Sequence, residues 1–421
     1  MKQSRYTFSL PIDTDVLLYN SLSGALIRLP KTIWESYKMD VSVSDLLKKQ
    51  GFLIDDDVDE LALCKFRYYQ GMFAHKKFSI MIAPTMQCNF NCPYCFEGEY
   101  KQAGLMNDAV EDALVEVIVA HKNKDIDITW YGGEPMLGFK KMLSISHRLA
   151  KEGVNYKSSM LTNGSLLNEE KIAQLDILHL NAIQISIDGI AYNHDKRRCY
   201  RNGAPSFQDI IDNLEKLLKN TNIKVNVKVA LDKQNARGYN ELRDFLYDRF
   251  LAHFKSGQLC ISCSHVLDKT GFDICGICYT REEVFQKGMD CLKDRRENPW
   301  FSIIPQQASA CMFRQPFSLN VDSEGYMYHC MEQFGNPRYR IGNIKDKSIN
   351  FSRLVQGMFT KDPFDDPECR ECKVLPICGG GCPMDRLRYT TTKRKSPNYC
   401  SIYREHVEQL MPYMYEYCKK K

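Results

Sequence analysis

No stretch of this sequence stays apolar for the roughly 20 residues that a membrane-crossing helix needs. The start, "MKQSRYTFSLPIDTD", lacks the apolar core of a secretory signal. A charge of one sign is missing too: 57 Lys+Arg stand against 52 Asp+Glu, a net +5. The short basic runs Lys196–Arg198 and Thr392–Ser396 read as solvated turns rather than as a nucleic-acid stripe. Either run can still assist an acidic peptide or a cofactor carboxylate. There is no internal repeat beyond recurring C-x2-C pairs. These absences point to a cytoplasmic protein with no nucleic-acid or membrane partner. Disulfides do not persist in a reducing cytosol, so many of the 18 cysteines are expected to hold metal.

The chain is long enough for two or three domains. Residues 1–77 read as a small α+β module: "VLLYN" and "ALIRL" flank "SLSG" as a hairpin, and "KTIWESYK" and "DVDELALCKFRYYQGMF" follow as helices. From Phe78 to 267 the pattern alternates strand and helix. Strand-like runs are "FSIMIAPTM", "DIDITWYGG", "YKSSMLTNG", "NAIQISIDG", "KVNVKVALD" and "QLCISCSHV". Six such units predict an α/β fold with a parallel sheet, a partial (β/α)6 barrel of TIM type. Parallel sheets carry their functional residues at strand C-terminal ends, where "CNFNC", "GGEP", "TNG" and "SIDG" fall. Residues 268–310 read as a Cys-containing linker. Residues 311–400 are rich in Cys, Gly and Pro and need metal for their cohesion. The tail, residues 401–421, reads as a closing helix whose Met and Tyr stripe is packing.

"MQCNFNCPYCFE" holds Cys88, Cys92 and Cys95 as C-x3-C-x2-C. A [4Fe–4S] cluster normally takes four cysteines, so three leave one iron open to a chelating small molecule. The alternative is a zinc site borrowing a distant His or Cys. With Tyr94 inside it and the later loops behind it, the pattern resembles the radical S-adenosylmethionine (SAM) superfamily. The resemblance implies that the open iron binds SAM and that SAM is cleaved to a 5′-deoxyadenosyl radical. It places Gly132, Gly133 and Glu134 at the SAM amino group, and Asn163 of "TNG" on the same rim. It places Tyr94 near the adenine, and Ser186, Asp188 and Arg197 at the ribose and carboxylate. Asp188 would accept from ribose hydroxyls and Arg197 would pair with the carboxylate.

Downstream, the order Cys311, Gly325-x4-Cys330, Cys369-x2-Cys372-x5-Cys378-x3-Cys382, Cys400 resembles the SPASM domain, an extension that carries two auxiliary clusters. The resemblance assigns Cys369, Cys372, Cys378 and Cys400 to an outer cluster, and Cys311, Cys330 and Cys382 to an inner one. That makes three [4Fe–4S] clusters, the inner one short of a protein ligand. Phe317 stands where some members have a further cysteine. Cys260, Cys263, Cys275 and Cys278 form a C-x2-C…C-x2-C set outside the family pattern. Zinc, the loan of a ligand to the inner cluster (Cys275 or Cys278), and free thiols all remain open for it.

Substrates of such enzymes are typically peptides or proteins, with a reducing partner such as flavodoxin or ferredoxin. The leading module resembles leader-peptide recognition elements, which bind by strand addition; a structural cap on the barrel is the alternative. This favours a maturase that installs a thioether or other crosslink in a ribosomally made precursor peptide. Sulfatase maturation to formylglycine is the second reading. It is weakened because Met331, not an acid, follows Cys330, with Glu332 next as the candidate base. A non-catalytic electron-transfer or zinc-stabilised binding protein is the reading of a different class.

Overall fold

The structure is a computed structural model that describes residues 1–73, 77–95, 97–98, 104–266, 276–294, 302–306, 308, 311–359, 361–392 and 400–419. At its centre lie six parallel strands: β1 (Lys77–Ile82), β2 (Asp125–Trp130), β3 (Tyr156–Thr162), β4 (Leu180–Ser186), β5 (Lys224–Leu231) and β6 (Leu259–His265). They pair in chain order, β1 to β6. All six predicted strands are present.

Successive strand residues point to opposite faces, and the two faces differ in chemistry. Val225, Val227, Val229 and Leu231 of β5 are buried under the helices. Asn226 and Lys228 of the same strand leave the other face, in register with Gln184 and Ser186 of β4. An apolar outside and a polar inside are what a curved, barrel-like sheet presents. The helix Phe207–Asn220 explains the outer layer: Ile210, Ile211, Leu214, Leu217 and Leu218 fall on one helical face and are all buried. The helix Asp108–Ala120 is started by Asn107, whose side chain accepts from Val110 N at 3.0 Å.

The Cys-rich region joins this sheet. Strand β7 (Ser318–Val321) runs parallel to β1, and β8 (Tyr326–Tyr328) folds back antiparallel on it. The sheet thus continues from barrel to cysteine region, which the sequence reading did not anticipate.

The leading module is a three-stranded antiparallel sheet of Thr7–Ile12, Asp15–Asn20 and Leu26–Pro30, with the expected hairpin formed by the last two. Helices Val41–Lys49 and Glu60–Met72 complete it. Strand Thr7–Ile12 was not expected. Pro11 disguises it, and a proline is tolerated because this is an edge strand.

Two further differences concern the C-terminal half. The closing helix begins at Val407, not at 401. The segment read as linker contains a helix, Arg281–Asp294. Phe285 and Met289 from that helix pack with Leu410, Met411 and Met414 of the closing helix against Phe8, Leu17 and Tyr19 of the leading sheet. The Met stripe of the tail is therefore packing, as read.

Candidate functional site

The loop bearing Cys88, Cys92 and Cys95 leaves the C-terminal end of β1. The loop after β2 closes over it. Gly133 N donates to Thr85 O (3.2 Å) and Glu134 N to Gln87 O (2.9 Å). A methyl group on Gly133 would meet Gln87 O at 2.3 Å and Met86 O at 2.4 Å, and Gly132 sits at φ +114°. Only glycine permits this backbone-on-backbone approach. Glu134 is fully buried. Its carboxylate accepts from Met136 N (3.0 Å), Thr162 Oγ1 (2.7 Å) and Asn163 N (2.7 Å), which tethers the end of β3 to the same loop. Burial pushes its carboxyl pKa up against those donors. Asn163 in turn donates to Asn89 Oδ1 at 2.8 Å, inside the cysteine loop. Three strand ends thus converge where the sequence placed a rim.

The loop after β4 is tied to Tyr94. Asp188, with no exposed surface, accepts from the Tyr94 hydroxyl, from Arg197 Nε (3.4 Å) and from Ala230 N (3.0 Å). Arg197 also pairs with Asp232 at 2.8 Å, and its guanidinium lies 4.8 Å from the Tyr94 ring centre. The expected residues are therefore together, with Ser186 half-buried beside them. Asp188 spends its oxygens on protein donors, and Arg197 bridges two carboxylates. Sequence reasoning missed Asp232 and also Arg198, which donates to the Tyr94 hydroxyl at 2.7 Å. The run "DKRR" was the available signal, but it does not say which arginine turns inward. His194 fixes the loop: Asp188 N donates to His194 Nδ1 (3.2 Å), and the other ring nitrogen meets Ser206 Oγ (3.1 Å). Burial, aided by Arg198 and Arg197, pushes His194 down to about 3, so its ring is neutral.

A second constellation lies in the Cys-rich region. Cys369, Cys372, Cys378 and Cys400 line one pocket. These are the four residues expected to share the outer cluster. Among the described residues, no three His, Cys, Asp or Glu side chains stand at the spacing of a single metal ion. Four cysteines around one pocket match the ligand number of a [4Fe–4S] cluster. Cys382 and Cys330 are close enough for Cys330 to raise the Cys382 thiol, though burial is the larger cause. Cys311 is exposed at the start of a short turn. Gln333 positions Cys330: its side chain accepts from His329 N (3.2 Å) and Cys330 N (3.1 Å). No sequence signal marked it. Glu332, the candidate base, is half-buried in the same turn. Phe317 packs instead under Lys124, whose ammonium stands 3.7 Å from its ring centre.

The two constellations meet at Tyr131. Its buried hydroxyl is bonded to Glu97, just past the cysteine loop, and feels both Cys95 and Cys330. Its ring stacks on Phe334 at 5.5 Å.

In the third cysteine set, Cys260 and Cys263 are held apart. On β6, Cys260 is in register with Asn226 on the polar face, and Cys263 packs into the apolar core behind the sheet. Three positions apart on a strand, they leave opposite faces and cannot grip one ion. Cys278 lies in a bend before helix Arg281–Asp294, and Cys275 lies outside the described residues.

Comparison with known proteins accords with this geometry. Residues 82–246 match the Radical SAM superfamily profile. The chain is 24% identical over 366 residues to the cysteine-type anaerobic sulfatase-maturating enzyme of Clostridium perfringens, covering 79% of this chain and 96% of that protein. Its fold resembles anSMEcpe with bound AdoMet and Cp18Cys peptide (TM-score 0.60, 21% identity, 80% of this chain and 97% of that one). It also resembles Streptococcus suis SuiB bound to precursor peptide SuiA (TM-score 0.52, 16% identity, 97% and 99%). The chain is an enzyme built on a radical SAM domain.

Proposed function

We propose that this enzyme modifies a ribosomally made precursor peptide, installing a thioether or other crosslink by hydrogen abstraction. When bound at Cys88, Cys92 and Cys95, an iron–sulfur cluster and SAM supply a 5′-deoxyadenosyl radical that abstracts hydrogen from the substrate. The chain's own part is to hold and shield. Gly132 and Gly133 let backbone approach the cofactor site, while Glu134 and Asn163 brace the cysteine loop. Tyr94, Asp188, Arg197 and Arg198 form a buried polar wall beside it. Cys369, Cys372, Cys378 and Cys400 would hold the outer auxiliary cluster, with Cys311, Cys330 and Cys382 at an inner one.

The observation that carries this reading is the convergence of the Cys88–Cys95 loop with the Gly132–Glu134 and Asp188–Arg197 loops at the strand C-terminal ends, in a chain that also gathers Cys369, Cys372, Cys378 and Cys400 around one pocket. The leading module supports a leader-bearing substrate. The likeness to SuiB with its precursor peptide spans 97% of the chain, against 80% for anSMEcpe. The remainder is close in size to that module. Sulfatase maturation stands as the second reading, favoured by the match across 96% of the Clostridium perfringens enzyme.

The test is anaerobic reconstitution with SAM and dithionite. 5′-Deoxyadenosine should form, and replacing Cys88, Cys92 and Cys95 by Ala should abolish it while the auxiliary iron stays. Retained cleavage in that variant would refute the assignment. Incubation with a peptide encoded beside the enzyme, compared with a sulfatase peptide, separates the two readings by product mass.

A further inference from the structure

We propose that Arg386 and Arg404 raise the reduction potential of a cluster held by the outer four cysteines. The inference rests on the reading that a [4Fe–4S] cluster occupies this pocket.

The two arginines reach two of the four sulfurs. Arg386 Nη2 donates to Cys369 Sγ, and Arg404 Nη1 donates to Cys400 Sγ at 3.3 Å. Both line the pocket with the cysteines. Arg386 is fixed by burial and by two further partners. The Arg386 side chain is 4% exposed, its Nη1 pairs with Asp366 at 3.0 Å and its Nε donates to Gly380 O. Arg404 Nη2 pairs with Glu368 at 3.2 Å. Asp366 does two things at once: its other oxygen caps the turn bearing Cys369, accepting from Cys369 N at 3.4 Å. One carboxylate therefore orients both the ligand and the cation aimed at its sulfur.

Cys372 and Cys378 complete the pocket. Gly380 is at φ +83°, and a methyl group there would strike Pro363 at 2.5 Å. Two of the four sulfurs thus face full positive charges.

Charge decides the direction of the effect. Reducing a cluster adds one electron to a group that is already anionic. Charge-assisted bonds at the sulfurs favour the more negative form, most strongly where water is scarce. The carboxylates stand behind the guanidinium groups and oppose the effect only partly.

The test is an EPR-monitored redox titration of the reconstituted enzyme, with iron counted in parallel. Arg404, at the rim, is replaced by Met and by Lys; Arg386 is replaced by Gln. Wild type should hold about twelve irons per chain. With iron unchanged, Arg404→Met and Arg386→Gln should each lower the potential of one auxiliary signal. The expected size is about tenfold in the reduction equilibrium, 59 mV for a one-electron couple. Arg404→Lys should recover part of the shift, and the SAM-site signal should not move. A merely structural role would alter iron content and leave the potential alone. If Arg386→Gln loses iron, the Arg404 pair decides. Full iron with unmoved potentials overturns this inference alone. A wild-type count near four overturns the cluster reading beneath it.

Discussion

The Tyr94 hydroxyl donates to the Asp188 carboxylate while accepting from Arg198 Nη1, so the cysteine loop is locked to the loop after the fourth barrel strand. The ring stays under the Arg197 guanidinium whether or not the hydroxyl is present. Tyr94→Phe should therefore keep the cluster and misplace the wall. Hydrogen bonds to charged groups are worth about 1.5–3 kcal/mol. The dissociation constant for SAM should rise roughly tenfold or more with SAM-site iron unchanged, as read by anaerobic equilibrium dialysis without reductant. Unaltered affinity would detach Tyr94 from the SAM site.

Gly133→Ala is expected to be severe. Its added methyl would lie 2.3 Å from Gln87 O, which belongs to backbone and cannot swing aside. Relief must come from separating the second-strand loop from the cysteine loop, with loss of the Glu134 N to Gln87 O bond. About a third of the iron should be lost together with all 5′-deoxyadenosine formation, while the auxiliary EPR signals persist. Normal iron with normal cleavage would mean that the two loops can part at no cost.

These two positions show why part of the site was legible in sequence. Gly133 and Tyr94 sit in loops after the strands of "DIDITWYGG" and "FSIMIAPTM", whose apolar alternation is plain. Order along the chain then fixes their convergence. Asp232 and Arg198 were not legible, because an acid after a strand and the second arginine of a pair look like surface charge until burial is known. Strand β7 was missed because "SLNV" is too short to show a period, and only its pairing with β1 defines it. The Cys260 and Cys263 pair misled for a related reason. C-x2-C chelates from a turn, but on a strand it splits across the sheet.

His194 gives a pH signature. Its pKa is pushed from the ordinary 6.5 to about 3 by burial and by the neighbouring Arg198 and Arg197. The unfolded chain therefore binds this proton first as pH falls. The stabilising effect of a neutral His194 is complete above about 6.5 and is lost progressively from there toward 3. The slope approaches about 1.4 kcal/mol per pH unit. His194→Gln should be less stable at pH 7.5, having lost the ring between Asp188 N and Ser206 Oγ. Its unfolding free energy should also fall less between pH 6.5 and 5.5 than that of wild type. Urea unfolding at those pH values measures the difference. Parallel pH slopes in the two proteins would show that His194 does not stay neutral.

The leading module is bound to the outer cysteine site as well as to the closing helix, which bears on whether it acts only as a leader binder. Ser21 Oγ donates to Lys373 O, Lys373 Nζ donates to Thr7 O (3.2 Å), and Arg5 Nη2 donates to Arg370 O (2.7 Å). Residues 370 and 373 flank the turn between Cys369 and Cys372. Phe8, Leu17 and Tyr19 cover Leu410, which has no exposed surface. Leu410→Ala should cost about 2–5 kcal/mol as a cavity at that interface. A chain beginning at Lys77 should be worse still, since it uncovers Val407, Leu410, Met411 and Met414 together. It should aggregate, or lose iron from the outer site, before any question of leader affinity arises. If that shortened chain instead stays monodisperse with full iron and still cleaves SAM, the module is a detachable reader and not a buttress. Precursor binding would then be the only activity lost with it.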